Sequence, residues 1–310
     1  MAALLRRRTG LTAYILVMGS TGTGKSTFIN LASGSDLRVG TGLHSQTATV
    51  ELSRSFKHKS QRIIMVDTPG FDDTVKSDAD VLTTIATYLE RLYRKGIRIR
   101  GIIYLHRITD NRMGGTALRN LRMFEAICGE PAMASTVVVL NMWDQVQPGV
   151  AEARETELRK SDIFFKPTVN AGAQMKPHWG NQDSAAAILD YLVARRPVVL
   201  KIQHEMADEH KAIHTTSAGL VLLGDLAAKE LKHAEELRRI REERAEARSR
   251  KDADEEGGLE DSEKSVEALR RKLAEEQQRL LEATNQASDN HGGFHRKLIM
   301  FLRRRLQLGH

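Results

Sequence analysis

The residues Gly19-Ser20-Thr21-Gly22-Thr23-Gly24-Lys25-Ser26-Thr27 fit the pattern GxxxxGK[ST] in full, with an extra glycine inside the loop. Glycines let successive backbone amides turn inward with no Cβ in the way. Such amides, with the positive end of a following helix, hold a di- or triphosphate. Lys25 would then reach the β- and γ-phosphates, and the Ser26 hydroxyl would ligate Mg²⁺. A second group, Asp67-Thr68-Pro69-Gly70, directly follows an apolar run. An acid at such a strand end holds Mg²⁺, usually through water, and Gly70 lets its own amide approach the γ-phosphate. Between the two lies His44-Ser45-Gln46-Thr47. Thr47 can complete the Mg²⁺ shell when triphosphate is bound and let go on hydrolysis, with Thr41 and Thr49 as competitors. A fourth group, Asn141-Met142-Trp143-Asp144, ends another apolar run. The Asp144 carboxylate can accept two hydrogen bonds from the ring and exocyclic nitrogens of guanine. Adenine would leave it unpaired, a strong rejection.

Each group alone has a plainer reading: a glycine-rich connection, a proline-glycine turn after a strand, a strand-end turn capped by Asp144. In this order they make a nucleotide site. Gly19 to Thr27, Asp67, Gly70, Asn141 and Asp144 bind the nucleotide. Ser26, Thr47 and Asp67 hold Mg²⁺, while Lys25, Thr47 and Gly70 face the reacting phosphate.

The elements that must position these residues can be read from periodicity. Tyr14 to Met18 is an apolar strand, and Ser26 to Leu31 begins a helix. Ala48 to Phe56 alternates as a half-exposed strand, and Arg62 to Val66 is a buried one. Helices are expected at Ser77–Lys95, Thr116–Ile127 and Asp183–Val193, and strands at Gly101–Leu105 and Thr136–Leu140. Alternating apolar strands and helices mean a mainly parallel α/β sheet covered on both faces, with ligands beyond the carboxyl ends of the strands. Composition changes after Pro197. A connecting helix is expected over Val198–Ile213. Ala227–Arg250 is rich in Glu, Lys, Arg and Ala, with Leu231, Ala234, Leu237 and Ile240 at three- and four-residue steps. Asp252 to Gly258 should break it, before a second run through Val266, Leu269, Leu273 and Leu280. Such segments form helical hairpins or coiled coils, either within the chain or with another chain. The expected division is an N-terminal arm (1–12), a nucleotide-binding domain (13–197), a charged helical region (198–287) and a basic amphipathic segment (288–310).

Length and composition set outer bounds. The 310 residues can bury a full core, and 41% are hydrophobic. No apolar run reaches the 18 or more residues of a membrane span. A lone cysteine, Cys128, excludes an internal disulfide and fits a reducing compartment, so a cytoplasmic setting is expected. The formal net charge is +7. Phe294 to Leu308 sets Phe294, Leu298, Phe301 and Leu302 beside five basic residues and no acid. Such a helix can lie on an anionic membrane surface or dock its apolar side on the protein. No nucleic-acid module accompanies it.

With its four motifs in order, the chain resembles the translation-factor-like GTPases. Within them it is similar to the septin-like branch that includes the immunity-associated (GIMAP-type) GTPases and the chloroplast import receptors. Asp67-Thr68-Pro69-Gly70-Phe71-Asp72-Asp73 and Ser45-Gln46-Thr47 carry the closer likeness. Fungal G-domain proteins of this type share a strand end like Tyr104 to Ile108, a loop like Asn111 to Gly115 and a Met-Trp-Asp base motif. The resemblance covers about residues 13–196. It implies a GTP-binding switch using GTP, GDP and Mg²⁺, with slow hydrolysis stimulated by a partner or by dimerisation through the G domain or coiled coil. A GTP-dependent scaffold with negligible hydrolysis is the alternative, and an ATP-using P-loop enzyme is a third reading. Three departures stand out. Met142 occupies the lysine position of (Asn/Thr)-Lys-x-Asp, which replaces the stem's packing but not its charge. The fifth family motif has only a faint candidate in Val169-Asn170-Ala171-Gly172. Phe71 stands where Ras-like proteins orient water with glutamine. Asp72, His44, Arg112 or an arginine of a second G domain could assist there. His106 and Arg107 are expected at a strand end near the nucleotide edge, and Trp143 or Trp179 could stack on the base.

Overall fold

The computed structural model describes residues 12–39, 49–72, 76–250 and 252–289. Thr41, His44, Ser45, Gln46, Thr47 and Asp73 lie outside them, as does most of the basic segment expected over 288–310.

The strands are β1 (Thr12–Met18), β2 (Glu51–Leu52), β3 (Phe56–His58), β4 (Gln61–Asp67), β5 (Ile99–Arg107), β6 (Thr136–Asn141) and β7 (Gln174–Pro177). Among the described residues they form one sheet in the order β2-β4-β1-β5-β6-β7, with β3 also on β4. The pairs β1–β4, β1–β5, β5–β6 and β6–β7 are parallel, and β2 and β3 run antiparallel to β4. The sheet is therefore mainly parallel, as the apolar strands imply. The half-exposed strand expected over Ala48–Phe56 is instead two short pieces. Ser53 explains the gap, because its Oγ accepts the Met65 amide at 2.9 Å in place of a ladder carbonyl.

The helices are α1 (Lys25–Ser33), α2 (Asp78–Arg94), α3 (Gly115–Cys128), α4 (Pro148–Lys160), α5 (Lys166–Asn170), α6 (Gln182–Val193), α7 (Lys201–Ala207), α8 (Ser217–Arg250) and α9 (Ala253–Asp289). Side-chain alternation along β1 divides the core. Ala13, Ile15 and Val17 pack on one face with Phe28 and Ile29 of α1 and Ile188 and Leu192 of α6. Tyr14, Leu16 and Met18 pack on the other with Val81, Leu82 and Ile85 of α2 and Leu121 and Phe124 of α3. That second face also takes Leu200, Ile202, Met206, Leu222, Leu226 and Leu280. The helical region is thus rooted in the main core. The connecting helix expected over Val198–Ile213 is only the short α7 and a 3-10 turn, Ile213–Thr215.

α8 and α9 pair within the chain. Leu237, Ile240 and Val266 are buried between them, and Arg241 and Arg244 both reach Glu263. The break expected over Asp252–Gly258 is not seen from Ala253 onward: α9 begins there, and Gly257 and Gly258 lie inside it. The acidic residues act as a helix start. Asp252 Oδ1 accepts the Glu255 amide at 3.1 Å, and Asp254, Glu255 and Glu256 fill the first turn. Negative charge at a helix N-terminus is favourable by about 0.3–1 kcal/mol each, against about 1 kcal/mol for each interior glycine.

Candidate functional site

The loop between β1 and α1 is folded as a closed cradle. Gly24 sits in the left-handed region at φ 85°, a conformation that suits glycine. A Cβ there would also lie 2.5 Å from Asn141 Nδ2. Thr23 Oγ1 donates to the Ser20 carbonyl at 2.9 Å. The Gly24 carbonyl accepts the Phe28 amide at 2.9 Å, which starts α1. Lys25 is buried, and its ammonium donates to the Gly19 and Ser20 carbonyls, each at 2.9 Å. The lysine expected at the phosphates therefore arches over its own loop. Thr27 is exposed in the first turn of α1.

β4 delivers Asp67 to the same place. Its Oδ2 accepts the Ser26 hydroxyl at 2.6 Å, which joins the two expected Mg²⁺ ligands. Asp67 is fully buried. Burial raises its pKa to about 6, against the Ser26 hydrogen bond and the Lys25 charge, which lower it. Its second oxygen, Oδ1, is buried with no hydrogen-bond partner, as are Thr21 Oγ1 and Asn120 Oδ1 beside the loop. Native structures leave few such atoms, so each calls for an explanation. A carboxylate oxygen, a hydroxyl and a bare carboxylate oxygen in one buried corner fit a hard divalent cation, which takes oxygen ligands.

Gly70 presses on the cradle. A Cβ there would come within 2.6 Å of Thr21 N and Oγ1, and the Thr21 amide donates to the Phe71 carbonyl at 3.1 Å. Phe71 is 3% exposed and belongs to the core. It has no surface to offer an attacking water. Asp72 is exposed, and its amide donates to Asp78 Oδ1 at 2.8 Å. Thr47 cannot be placed, because it lies outside the described residues.

At the far side β6 brings the base motif. Asn141 Nδ2 donates to the Thr23 carbonyl at 2.8 Å, which ties this motif to the phosphate loop. Met142 takes a left-handed φ of 61°, so the chain turns sharply and leaves Asp144 exposed. The loop after β7 adjoins it. The Trp143 amide donates to the His178 carbonyl at 3.3 Å, and a Cβ on Gly180 would lie 3.9 Å from both Asp144 carboxylate oxygens. The faint fifth-motif candidate is corrected here. Val169-Asn170-Ala171-Gly172 precede β7, and Gly172 lies against Ala134, ahead of β6. That is the end of the sheet away from the phosphate loop. His178-Trp179-Gly180 hold the corresponding place beside Asp144.

Periodicity missed Asn120 and Arg119 of α3. Asn120 Nδ2 donates to Ser20 Oγ at 2.8 Å, a second anchor for the loop. The signal for it was a lone asparagine on an otherwise apolar helix face. His106 is buried against Phe165, and burial lowers its pKa to about 4. It is a neutral core residue, not a nucleotide contact. Arg107 lies beside the glycine-rich loop: its guanidinium pairs with Asp110 at 3.0 Å, and its Nη1 would be 3.4 Å from a Cβ on Gly22. Arg112 is exposed in the loop beyond it.

A parallel sheet with this cradle at the carboxyl ends of β1, β4 and β6 is a P-loop domain of the G-domain type. Residues 14–142, less than half of the chain, match the family model described as 50S ribosome-binding GTPase. Among curated proteins none matches. Among solved structures the chain is similar to Toc33 from Arabidopsis thaliana in complex with Mg²⁺ and GMPPNP, at 17% identity and a TM-score of 0.49, covering 64% of this chain and 92% of that one. It is also similar to Era in complex with MgGDPNP and a piece of 16S ribosomal RNA, at 19% identity and a TM-score of 0.45, covering 60% of this chain and 59% of that one. Among the described residues no helix is long and apolar enough to cross a membrane.

Proposed function

We propose that residues 13–197 bind GTP and GDP with Mg²⁺ and hydrolyse GTP slowly to GDP and phosphate, as a switch whose helical region carries the output. The carrying observation is the buried Asp67–Ser26 pair with its unpartnered Oδ1, set in a cradle that Asn141 joins to the base motif. Phosphates entering the loop would meet amides of Thr21 to Ser26 and draw the Lys25 ammonium off the Gly19 and Ser20 carbonyls. Ser26 and Asp67 would hold Mg²⁺, which supplies charge neutralisation across the β- and γ-phosphates. Asp144, exposed at the end of β6, would accept the guanine nitrogens.

Slow turnover follows from Phe71. Its buried ring neither orients nor activates water, and glutamine performs that step in Ras-like proteins. Arg107 and Arg112, at the nucleotide edge, are the groups a second G domain would meet. An arginine supplied across such an interface is worth about a thousandfold or more. Thr47 remains our choice for the γ-phosphate sensor, and the segment 288–310 for any contact with an anionic membrane.

Calorimetry with Mg²⁺ tests the reading, comparing GTP, GDP and ATP on wild type and Asp144→Asn. Guanine preference that weakens in the variant and shifts toward xanthine nucleotides is the expected result. Equal binding of ATP, or no effect at Asp144, would sink the guanine assignment. Turnover that rises with protein concentration supports the dimer-stimulated switch. No turnover under any condition favours the scaffold.

A further inference from the structure

The loop after β7 carries a large aromatic side chain that the core does not take up. Trp179 is 45% exposed, yet its backbone is fixed. Its amide donates to Ser184 Oγ at 3.3 Å, and the same hydroxyl lies 2.7 Å from His178 Nδ1. Asn181 Oδ1 accepts the Ser184 amide at 2.9 Å and caps α6. The indole meets that of Trp143 in an edge-type contact, with ring centroids 6.2 Å apart at 63°. Trp143 itself is 8% exposed and belongs to the main core. The next residue, Gly180, has no side chain, and a Cβ there would lie 3.9 Å from both Asp144 carboxylate oxygens.

We propose that Trp179 is the stacking platform for the nucleotide base, an aromatic face beside the site where Met142 stands in the lysine position. The inference rests on the guanine-nucleotide reading above. Asp144 fixes the edge of a base and says nothing of its faces. A purine held by its edge alone leaves both faces in water, and a flat aromatic surface removes one of them. Indole suits this role, because it offers a wide apolar face and loses few rotamers on binding. The loop's anchors hold it in advance, so little ordering is left to binding. Exposed single hydrophobic residues are common and need no purpose. What distinguishes Trp179 is rigid backbone support at a position adjoining the base carboxylate.

The stack is the same for GDP and GTP and does not change as the γ-phosphate leaves. It should therefore act on affinity and not on turnover at saturation. Base–aromatic stacking lost on alanine substitution corresponds to about a ten- to hundredfold weakening. The test uses the full chain with Mg²⁺ and GDP or GTP, read by calorimetry and by tryptophan emission. Trp179→Ala should weaken both nucleotides by that factor and leave the saturated hydrolysis rate unchanged. Trp179→Phe, which keeps an aromatic face, should recover binding to within about threefold of wild type. The chain has two tryptophans, so emission resolves them. Wild type should be quenched on GDP binding and Trp179→Phe should not. If wild type binds GDP and Trp179→Ala binds it equally well, the stacking assignment fails and the guanine reading survives. If wild type binds no guanine nucleotide, both fall together.

Discussion

Arg119 of α3 is a buried cation, 6% exposed, and its partners come from two other helices. Its guanidinium lies 2.5 Å from Asp78 Oδ2 at the start of α2 and 3.1 Å from Asp225 Oδ2 of α8. Lys229 reaches Asp225 from the outside at 3.0 Å. Burial opposes the charge on Asp225, but the bonds from Lys229 and Arg119 hold its carboxyl below the usual range. Replacing Arg119 by methionine keeps most of the stem's volume and leaves Asp78 charged in the interior. Removing one partner of a buried pair costs about 3–5 kcal/mol, more than the pair itself contributes against an apolar substitute. For a domain of this size, with a urea m-value of about 3 kcal/mol/M, the midpoint should fall by about 1–1.7 M. The double variant Arg119→Met with Asp78→Leu should recover much of that loss, because no lone charge is then buried. Equilibrium unfolding in urea on wild type, both single variants and the double gives the coupling directly. A single-variant loss under about 1 kcal/mol, or strictly additive losses in the double, would refute the claim that this ion cluster is desolvated.

Two further outcomes follow from individual residues. His106 has a folded pKa of about 4 against 6.5 in the unfolded chain, so between those values the unfolded state binds more protons and stability rises with pH. Lowering pH from 7 to 4 should remove about 3 kcal/mol through this group, and His106→Phe should lose that much less in urea unfolding across the same range. Gly70→Ala would push a methyl to 2.6 Å from Thr21 N and Oγ1. Backbone cannot yield cheaply, so a cost of about 1–3 kcal/mol is expected in thermal unfolding. Nucleotide affinity should weaken as the Thr21–Phe71 bond is strained, and unchanged values of both would show that the two loops adjust freely.

What could be read from residues alone follows a physical division. The phosphate loop, Asp67 and the base motif were legible because each needs fixed residue types at fixed spacing and sits at the end of a strongly apolar strand. Strand and helix cores were legible for the same reason, through periods of 2 and 3.6. The short β7 and the helix α4 went unread. β7, Gln174–Pro177, holds only one buried residue, Met175, and α4 buries just Ala151 and Leu158. Both take their conformation from neighbours already in place. Asp252–Gly258 reads as a breaker in sequence because glycine weakens helices. Acids in a first turn compensate, and their benefit depends on where the helix begins, which composition does not state. For the fifth motif, Val169–Gly172 offers only a letter pattern. Only the parallel register of β6 and β7, with Leu140 opposite Pro177, shows that the loop facing Asp144 must follow β7.

The same division explains why the turn after Gly70 is the least readable and most connected part of the site. Its residues form no periodic pattern, yet its backbone is held from two sides. The Phe71 carbonyl accepts from Thr21 of the phosphate loop, and the Asp72 amide donates to Asp78 at the head of α2. Asp78 in turn shares Arg119 with Asp225 of α8. The next amide of that helix start, Ala79, donates to Glu276 of α9 at 3.3 Å, and Arg279 lies 3.3 Å from Asp80. A displacement of Gly70 toward a phosphate therefore cannot stay local. It must lengthen the bond at Thr21, or carry Asp72 and with it an ion cluster that is buried and intolerant of partial separation. The helical hairpin sits on the second of those routes, through the charged side chains of Asp225, Glu276 and Arg279.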